Sequence, residues 1–260
     1  TVTSTQQLRL RLNGGDPIAG HLLDSCRILI IDEVHRNLDW NDIIINHLSE
    51  SNPDAAVIGL TATPLRRVRH ETGRLAGMFE NCTISPIEGG EQDPERCISE
   101  LTDMGILARR IDLSATDLGI RLSVRDTPGK RFSESIAILK SIESRGAHST
   151  LVFGESVEQS RKLAATMSLL GFPSRHLDSG TPIAERRAII RDFRSGEIRF
   201  LMNFDILTTG FDAPNTDAVA IFRTTQDRSQ PLITQMIGRG LRGPKFDGTE
   251  ECLIFIRGTH

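Results

Sequence analysis

What the sequence lacks sets the first limits. No apolar run approaches the roughly 20 residues that a membrane-spanning helix requires, in a chain of 260 residues that is 38% hydrophobic and 25% charged. It reads as a soluble globular chain. Cysteine is scarce. Cys26, Cys82, Cys97 and Cys252 form no C-x-x-C pair and no cluster with histidine, which excludes a disulfide framework or a zinc-ligand pattern and points to a reducing, cytoplasmic setting. An excess of positive charge is also missing. The formal net charge of -3 argues against a uniformly basic coat for nucleic acid, yet leaves room for a local groove lined by arginine. Lysine is rare: Lys130, Lys140, Lys162 and Lys245 are the only lysines among 31 basic residues. The sequence shows no repeat of fixed period, no low-complexity tract and no signal-like start, and it opens on Thr1 instead of methionine.

What is present alternates between strand and helix patterns. The length accommodates two domains of about 100 to 150 residues each. From 27 to 80 the pattern predicts a strand at Ile28 to Ile31, a helix at about Trp40 to Leu48, a strand at Ala55 to Leu60 and a turn at "TATP". The run Ile28 to Ile31 reads as a strand covered on both faces. Residues 81 to 147 read as a linker and connecting segment: "SPIEGGEQDPE" has loop composition, Asp93-Pro94 predicts a helix start, and "LARRIDLSA" and "IRLSV" are candidate strands. From 148 to 260 the alternation returns. "TLVFG", "IRFLMNF", "AVAIF" and "ECLIFI" read as buried strands. Ser156 with Gln159 predicts a capped helix start, Thr181-Pro182 a second, Gly196 a stop, and "ITQMIGRGLR" a further helix. The expected architecture is α/β, with two domains built on parallel sheets flanked by helices and a boundary near residue 80.

Three clusters follow predicted strands: "DEVH" at 32 to 35, "TATP" at 61 to 64, and the stretch from "ILTTGFDAP" to "QMIGRGLR" at 206 to 242. Paired carboxylates at the end of a buried strand sit where open α/β folds bind ligands, although acids also open helices. Phosphoryl transfer to water needs a divalent cation near the phosphates, a group that orients the water, and positive charge at the transition state. Asp32 suits the metal side and Glu33 the water. Arg239 and Arg242, three apart on the expected helix, would share a face and point at a γ-phosphate. Read alone, those arginines can also be a solvated helix face, His35 a loop histidine, Arg66, Arg67 and Arg69 a solvated basic turn, and "DSG" at 178 to 180 an ordinary turn.

In combination, "IIDEVH", "GLTATP", "TLVF", "DILTTGFDAP" and "QMIGRGLRGP" resemble motifs II to VI of the superfamily 2 helicases and translocases of the DEAD/DEAH type, especially the bacterial branch related to restriction-enzyme motors. Five such strings in order are far more specific than any one. The resemblance implies two RecA-like domains, ATP and Mg²⁺ as nucleotide and cofactor, and a nucleic-acid partner, DNA by affinity to that branch. Asp32 would hold Mg²⁺ through water and Glu33 would activate the attacking water. His35, Thr61 and Thr63 would couple the nucleotide site to the other motifs. Gly210 and Asp212 would approach the nucleotide, Gln235 would sit near the γ-phosphate, and Arg239 and Arg242 would act as arginine fingers. Thr208 and Thr209 would lie near the nucleic-acid backbone. Val34 replaces the commoner alanine or cysteine of motif II, a change expected to act on packing.

One part of the pattern is absent. Such families hold the triphosphate with a G-x-x-x-x-G-K-[ST] loop, whereas the single Gly-Lys pair here, Gly129-Lys130, has Val124 at the first glycine position and Arg131 after it. The family order would place that loop upstream of Thr1, so the chain is expected to enter its first domain midway and to need an additional segment or subunit. Two functions therefore stand open: the motor portion of an ATP-dependent helicase or translocase, or a helicase-like nucleic-acid-binding or scaffold module that does not hydrolyse ATP.

Overall fold

A computed structural model of the chain describes residues 3–35, 37–61, 69–90, 93–122, 127–207, 212–223 and 230–258, with the side chains of 69–72, 230 and 231 set aside. The chain divides into two compact units, Thr1–Ser85 and Pro86–His260.

The first unit is built on two parallel strands, β1 (Ile28–Ile31) and β2 (Ala56–Gly59), paired in register from Ile28 with Ala56 to Ile31 with Gly59. Helices α1 (Thr5–Asn13), α2 (Pro17–Asp24) and α3 (Leu38–Ser51) precede and join them, and α4 (Arg69–Gly77) follows. Side chains alternate across a strand, and here the alternation separates a covered face from an open one. Leu29 and Val57 pack with Leu8, Ala19, Leu23, Ile44 and Leu48 from α1, α2 and α3. On the other face Ile28 and Ile30 are 58% and 59% exposed, and Ile58 and Leu60 are also exposed. The expected cover on both faces is thus found on one face only among the described residues. A run of isoleucine cannot report this, because apolarity shows where burial is favourable and not which neighbour supplies it.

The second unit holds a six-stranded sheet, ordered β3-β8-β7-β4-β6-β5, in which every pairing is parallel. The strands are β3 (Arg109–Leu113), β4 (Thr150–Phe153), β5 (Ser174–Leu177), β6 (Phe200–Asn203), β7 (Ala218–Ile221) and β8 (Glu251–Ile256). Helices α5 (Pro94–Asp103), α6 (Pro128–Ser144), α7 (Val157–Leu169), α8 (Ile183–Arg194) and α9 (Gln230–Gly238) complete it. The central strands β4, β6 and β7 are buried throughout. Alternate residues serve opposite layers. Leu151, Phe153, Leu201, Val219 and Ile221 face α8 and α9 through Ile189, Phe193, Ile233 and Met236, while Val152, Phe200, Met202, Ala218 and Ala220 face α6 and α7 through Ile138, Leu139, Leu163 and Met167. Full burial of each large apolar side chain contributes about 1.5–3 kcal/mol, so these two layers dominate the stability of the unit. Residues 86–147 belong here: β3 pairs with β8, and α6 covers one face of the sheet.

Local chemistry sets most helix starts. Asp93 accepts the Arg96 amide at 3.0 Å ahead of Pro94, and Ser156 accepts that of Gln159 at 3.1 Å. The Gln159 side chain returns to the Glu155 amide at 3.0 Å, one residue earlier than a standard capping box. Two expectations are corrected. Pro182, not Thr181, is the cap of α8, because the Thr181 hydroxyl accepts the Asp178 amide at 3.1 Å and is committed to the preceding turn. Ile120 to Leu122 form no strand; this segment packs its apolar side chains against the α6 and α7 layer and follows a turn closed by Asp117 on Ser114. The rest of "IRLSV" lies outside the described residues.

The chain leaves β4 toward β5 and β6 on one side, then crosses to β7 and β8 on the other, so β4 and β7 flank a topological switch point. In open parallel sheets ligands bind beyond the C-terminal strand ends at such a point. The segments after β1, β2, β6 and β7 hold the candidate residues. Among the described residues no helix is long and apolar enough to cross a membrane.

Candidate functional site

In the first unit, the end of β1 turns sharply. Glu33 has φ +50°, a left-handed conformation that costs a side-chain-bearing residue about 1 kcal/mol or more. Its amide donates to Asp32 Oδ1 at 2.8 Å. The turn is held from below. Val34 is buried, its amide donates to the Leu60 carbonyl at 3.0 Å, and its carbonyl accepts from buried Asn41 of α3 at 2.8 Å. The Val34 side chain stands against Gly59, where an added Cβ would lie 2.9 Å from Val34 Cγ1 and 2.5 Å from Phe79 Cζ. Val34 therefore acts through packing, as its aliphatic character implies.

The turn directs three side chains into one hydrogen-bonded line. The His35 ring, 6% exposed, places Nδ1 2.8 Å from Thr61 Oγ1 and Nε2 3.3 Å from Glu33 Oε2. An imidazole protonated on Nε2 satisfies both contacts, donating to Glu33 and accepting from the threonine hydroxyl. Histidine thus fixes the Glu33 carboxylate and ties it to the residue that follows β2. Asp32 is exposed at the strand end, with Oδ1 engaged by the Glu33 amide and Oδ2 open among the described residues. A fixed, accessible carboxylate of this kind suits a hard cation such as Mg²⁺ bound through water. Among the described residues no group of three or more His, Cys, Asp and Glu stands close enough to hold a metal ion by protein ligands alone. Thr63 lies outside the described residues.

In the second unit, the expected helix over "ITQMIGRGLR" stops early. Helix α9 ends at Gly238, Arg239 lies in the following turn, and Arg242 forms an isolated antiparallel bridge with Leu107. The two arginines do not share a helical face, which corrects that expectation. The physical reason is the close approach that follows. A Cβ on Gly243 would lie 2.3 Å from the Gly105 carbonyl oxygen and 2.7 Å from the Ile106 carbonyl carbon, so the chain runs backbone to backbone there. Gly243→Ala is expected to destabilise the protein by about 1–3 kcal/mol, the usual cost of overpacking. Gly238→Ala, where an added Cβ meets nothing within 4 Å, should be neutral or slightly stabilising. Denaturant unfolding of the two variants checks this, and equal stabilities would contradict the assigned close approach.

Arg242 meets another candidate residue instead. Its Nη1 lies 2.9 Å from Asp212 Oδ1 and 3.0 Å from Oδ2. Arg194 Nε donates to the Asp212 carbonyl at 2.7 Å. Gln235 is buried on α9 at 8% exposure, and Arg239 is half-buried. After β6 and β7, buried Arg223 pairs with Asp205 at 2.5 Å and stacks 4.3 Å over the Phe204 ring, tying the two strand ends together. Thr208, Thr209 and Gly210 lie outside the described residues, as do Arg66 and Arg67; Arg69 lies in α4, its side chain set aside.

Two remaining sequence features resolve clearly. Gly129-Lys130 lies in the first turn of α6, capped by Thr127, and is not a phosphate-binding loop. The "DSG" turn is organised by buried Asp178, whose carboxylate accepts from the Gly180 amide at 2.8 Å and from His176 Nε2 at 3.1 Å and pairs with Arg161. Arg161, His176 and the Gly180 amide hold that carboxyl down at about 2. Sequence reading passed over Asn41, Arg161 and Arg194. Each works through a contact 7 to 18 residues away, and no local pattern marks such pairs.

The helicase conserved C-terminal domain family matches residues 133–243, a span that includes Asp212, Gln235, Arg239 and Arg242. IRC3 of Saccharomyces cerevisiae, whose name assigns it to the ATP-dependent helicases, is 29% identical over 250 residues, covering 93% of this chain and 34% of its own length. The chain thus spans about a third of that relative. Among solved structures, the DUF1998 helicase MrfA bound to DNA has a TM-score of 0.64 at 14% identity, over 99% of this chain and 33% of MrfA. A fragment of an HsdR-type subunit of a type I restriction enzyme from Vibrio vulnificus has a TM-score of 0.58 at 21% identity, over 95% of this chain and 46% of that one. At these identities the structural likeness establishes the fold. Residues 133–243 match the helicase conserved C-terminal domain family, and the similarity to IRC3 extends over most of the rest of the chain.

Proposed function

We propose that the chain is the motor portion of an ATP-dependent helicase or translocase of the restriction-type branch, acting on DNA and hydrolysing ATP. The observation that carries this reading is the line Glu33–His35–Thr61 beside an open Asp32 carboxylate. A strained turn, a buried histidine and a buried asparagine hold one acid at a strand end. That arrangement suits a base that must present its carboxylate to a water in a fixed direction.

Asp32 would hold Mg²⁺ through water, and Mg²⁺ supplies charge neutralisation at the β and γ phosphates. Glu33 accepts the proton of the attacking water, and His35 keeps its carboxylate oriented. By the resemblance of the motifs, Gln235 would stand near the γ-phosphate and Gly210 with Asp212 near the nucleotide, while Arg239 and Arg242 would offset the negative charge of the transition state. By the same resemblance, Thr61 and Thr63 would couple the nucleotide site to the other motifs, and Thr208 and Thr209 would contact the nucleic-acid backbone. Support for DNA comes from the likeness to MrfA, described as bound to DNA, and support for the branch from the HsdR-type fragment.

The test is made on the intact protein. Phosphate release from ATP should be stimulated by DNA, and that stimulation should fall steeply from about 50 to about 200 mM salt, because grip on a phosphate backbone depends on counterion release. Stimulation by RNA alone would reject the DNA assignment.

A further inference from the structure

Arg194, the last residue of α8, makes a long-range contact that its position at a helix end does not require. Basic side chains there can bond the final carbonyls of their own helix. Arg194 reaches past them to Asp212, 18 residues along the chain, with Nε 2.7 Å from the carbonyl oxygen and a second guanidinium nitrogen on the same atom. Its Nη2 is also 4.0 Å from the Asp212 carboxylate. Asp212 in turn engages Arg242 through Nη1 alone. Among the described residues, Nε and Nη2 of Arg242 have no partner, so two donors remain for a planar, bidentate contact with a phosphate.

Helix α8 is a firm base for such a contact. Ile189 and Phe193 anchor it in the core, and at its other end Arg186 reaches the Asp178 and Thr181 carbonyls, both at 3.4 Å. Asp212 itself lies outside helix and strand and is held to this helix through its carbonyl. A free arginine side chain samples many rotamers, and holding one nitrogen in place removes much of that freedom before reaction.

We propose that Arg194 is a positioning residue: by fixing Asp212, it holds Arg242 in the orientation that meets the γ-phosphate of ATP. This rests on the motor reading given above. The experiment uses the intact protein with DNA and measures kcat and KM for ATP in Arg194→Ala, Arg194→Lys, Asp212→Ala and the double alanine variant, with Glu33→Gln as reference.

Arg194→Ala should lower kcat about five- to tenfold, as expected for loss of a partly exposed charge-assisted contact, while KM stays within about twofold. Arg194→Lys should recover much of the loss. In the Asp212→Ala background, Arg194→Ala should cost nothing further, since Arg194 then has no carboxylate to position. An unchanged or raised kcat in Arg194→Ala, or losses that simply add in the double variant, would overturn the inference. Failure of the motor reading looks different: the unsubstituted protein would then show no DNA-stimulated hydrolysis at all. Normal hydrolysis that Glu33→Gln abolishes and Arg194→Ala leaves intact would sink the positioning role alone.

Discussion

Glu33→Gln in the intact protein is expected to lower ATP turnover by about 10²- to 10⁴-fold, the range that a positioned general base supplies, while ATP binding persists. The substitution is close to isosteric. The glutamine Oε1 still accepts from His35 Nε2, so the contact now seen at 3.3 Å and the His35–Thr61 bond of 2.8 Å can both survive. What disappears is the basicity of the carboxylate. A nucleotide-binding titration beside the turnover measurement separates the two effects: unchanged affinity with lost turnover supports Glu33 as the base, and turnover within a few-fold of normal would remove Glu33 from the mechanism. The left-handed turn at Glu33 matters here, because stored backbone strain at a strand end is tolerated where the surrounding contacts over-determine it. Asn41 and the Leu60 carbonyl do so.

The second large effect is expected at Arg242. Arg242→Ala should reduce turnover by about 10³-fold or more, the magnitude associated with an arginine that stabilises charge on the transferring phosphoryl group. Arg242→Lys should fail to restore it, since an ammonium cannot reproduce the planar two-nitrogen contact. Stability is not the cause, because the ion pair with Asp212 is solvent-exposed on both sides and such pairs contribute little to folding. Steady-state kinetics with a parallel thermal melt test this: lost turnover at an unchanged melting temperature is the expected pair of results. Full turnover in Arg242→Ala would reject it as a finger.

Much of the fold was legible because strand burial and helix capping are local. The runs "ILII" and "ECLIFI" read directly as β1 and β8, and Asp93-Pro94 and Ser156 mark helix starts by side-chain bonds that span three residues. The failures share one physical cause, which is tertiary context. Thr181 has the chemistry of a cap but is claimed by Asp178. The periodicity of "ITQMIGRGLR" continues past Gly238, whereas the helix does not, because the chain beyond must press against the backbone at Gly105 and Ile106. The same contrast governs the site. Motif strings nominate Asp32, Glu33, His35 and Arg242 as candidates, and the structure adds the contacts around them: Asn41 beneath the turn, and Asp212 and Arg194 behind the arginine.

On the reading proposed above, these residues serve ATP hydrolysis coupled to nucleic acid. The most direct measurement is phosphate release by the intact protein with saturating ATP and Mg²⁺, in the presence and absence of single-stranded and duplex DNA. A low basal rate that DNA raises is the expected result. A protein that binds DNA yet releases no phosphate under any of these conditions would contradict it, and would identify a helicase-like binding module instead.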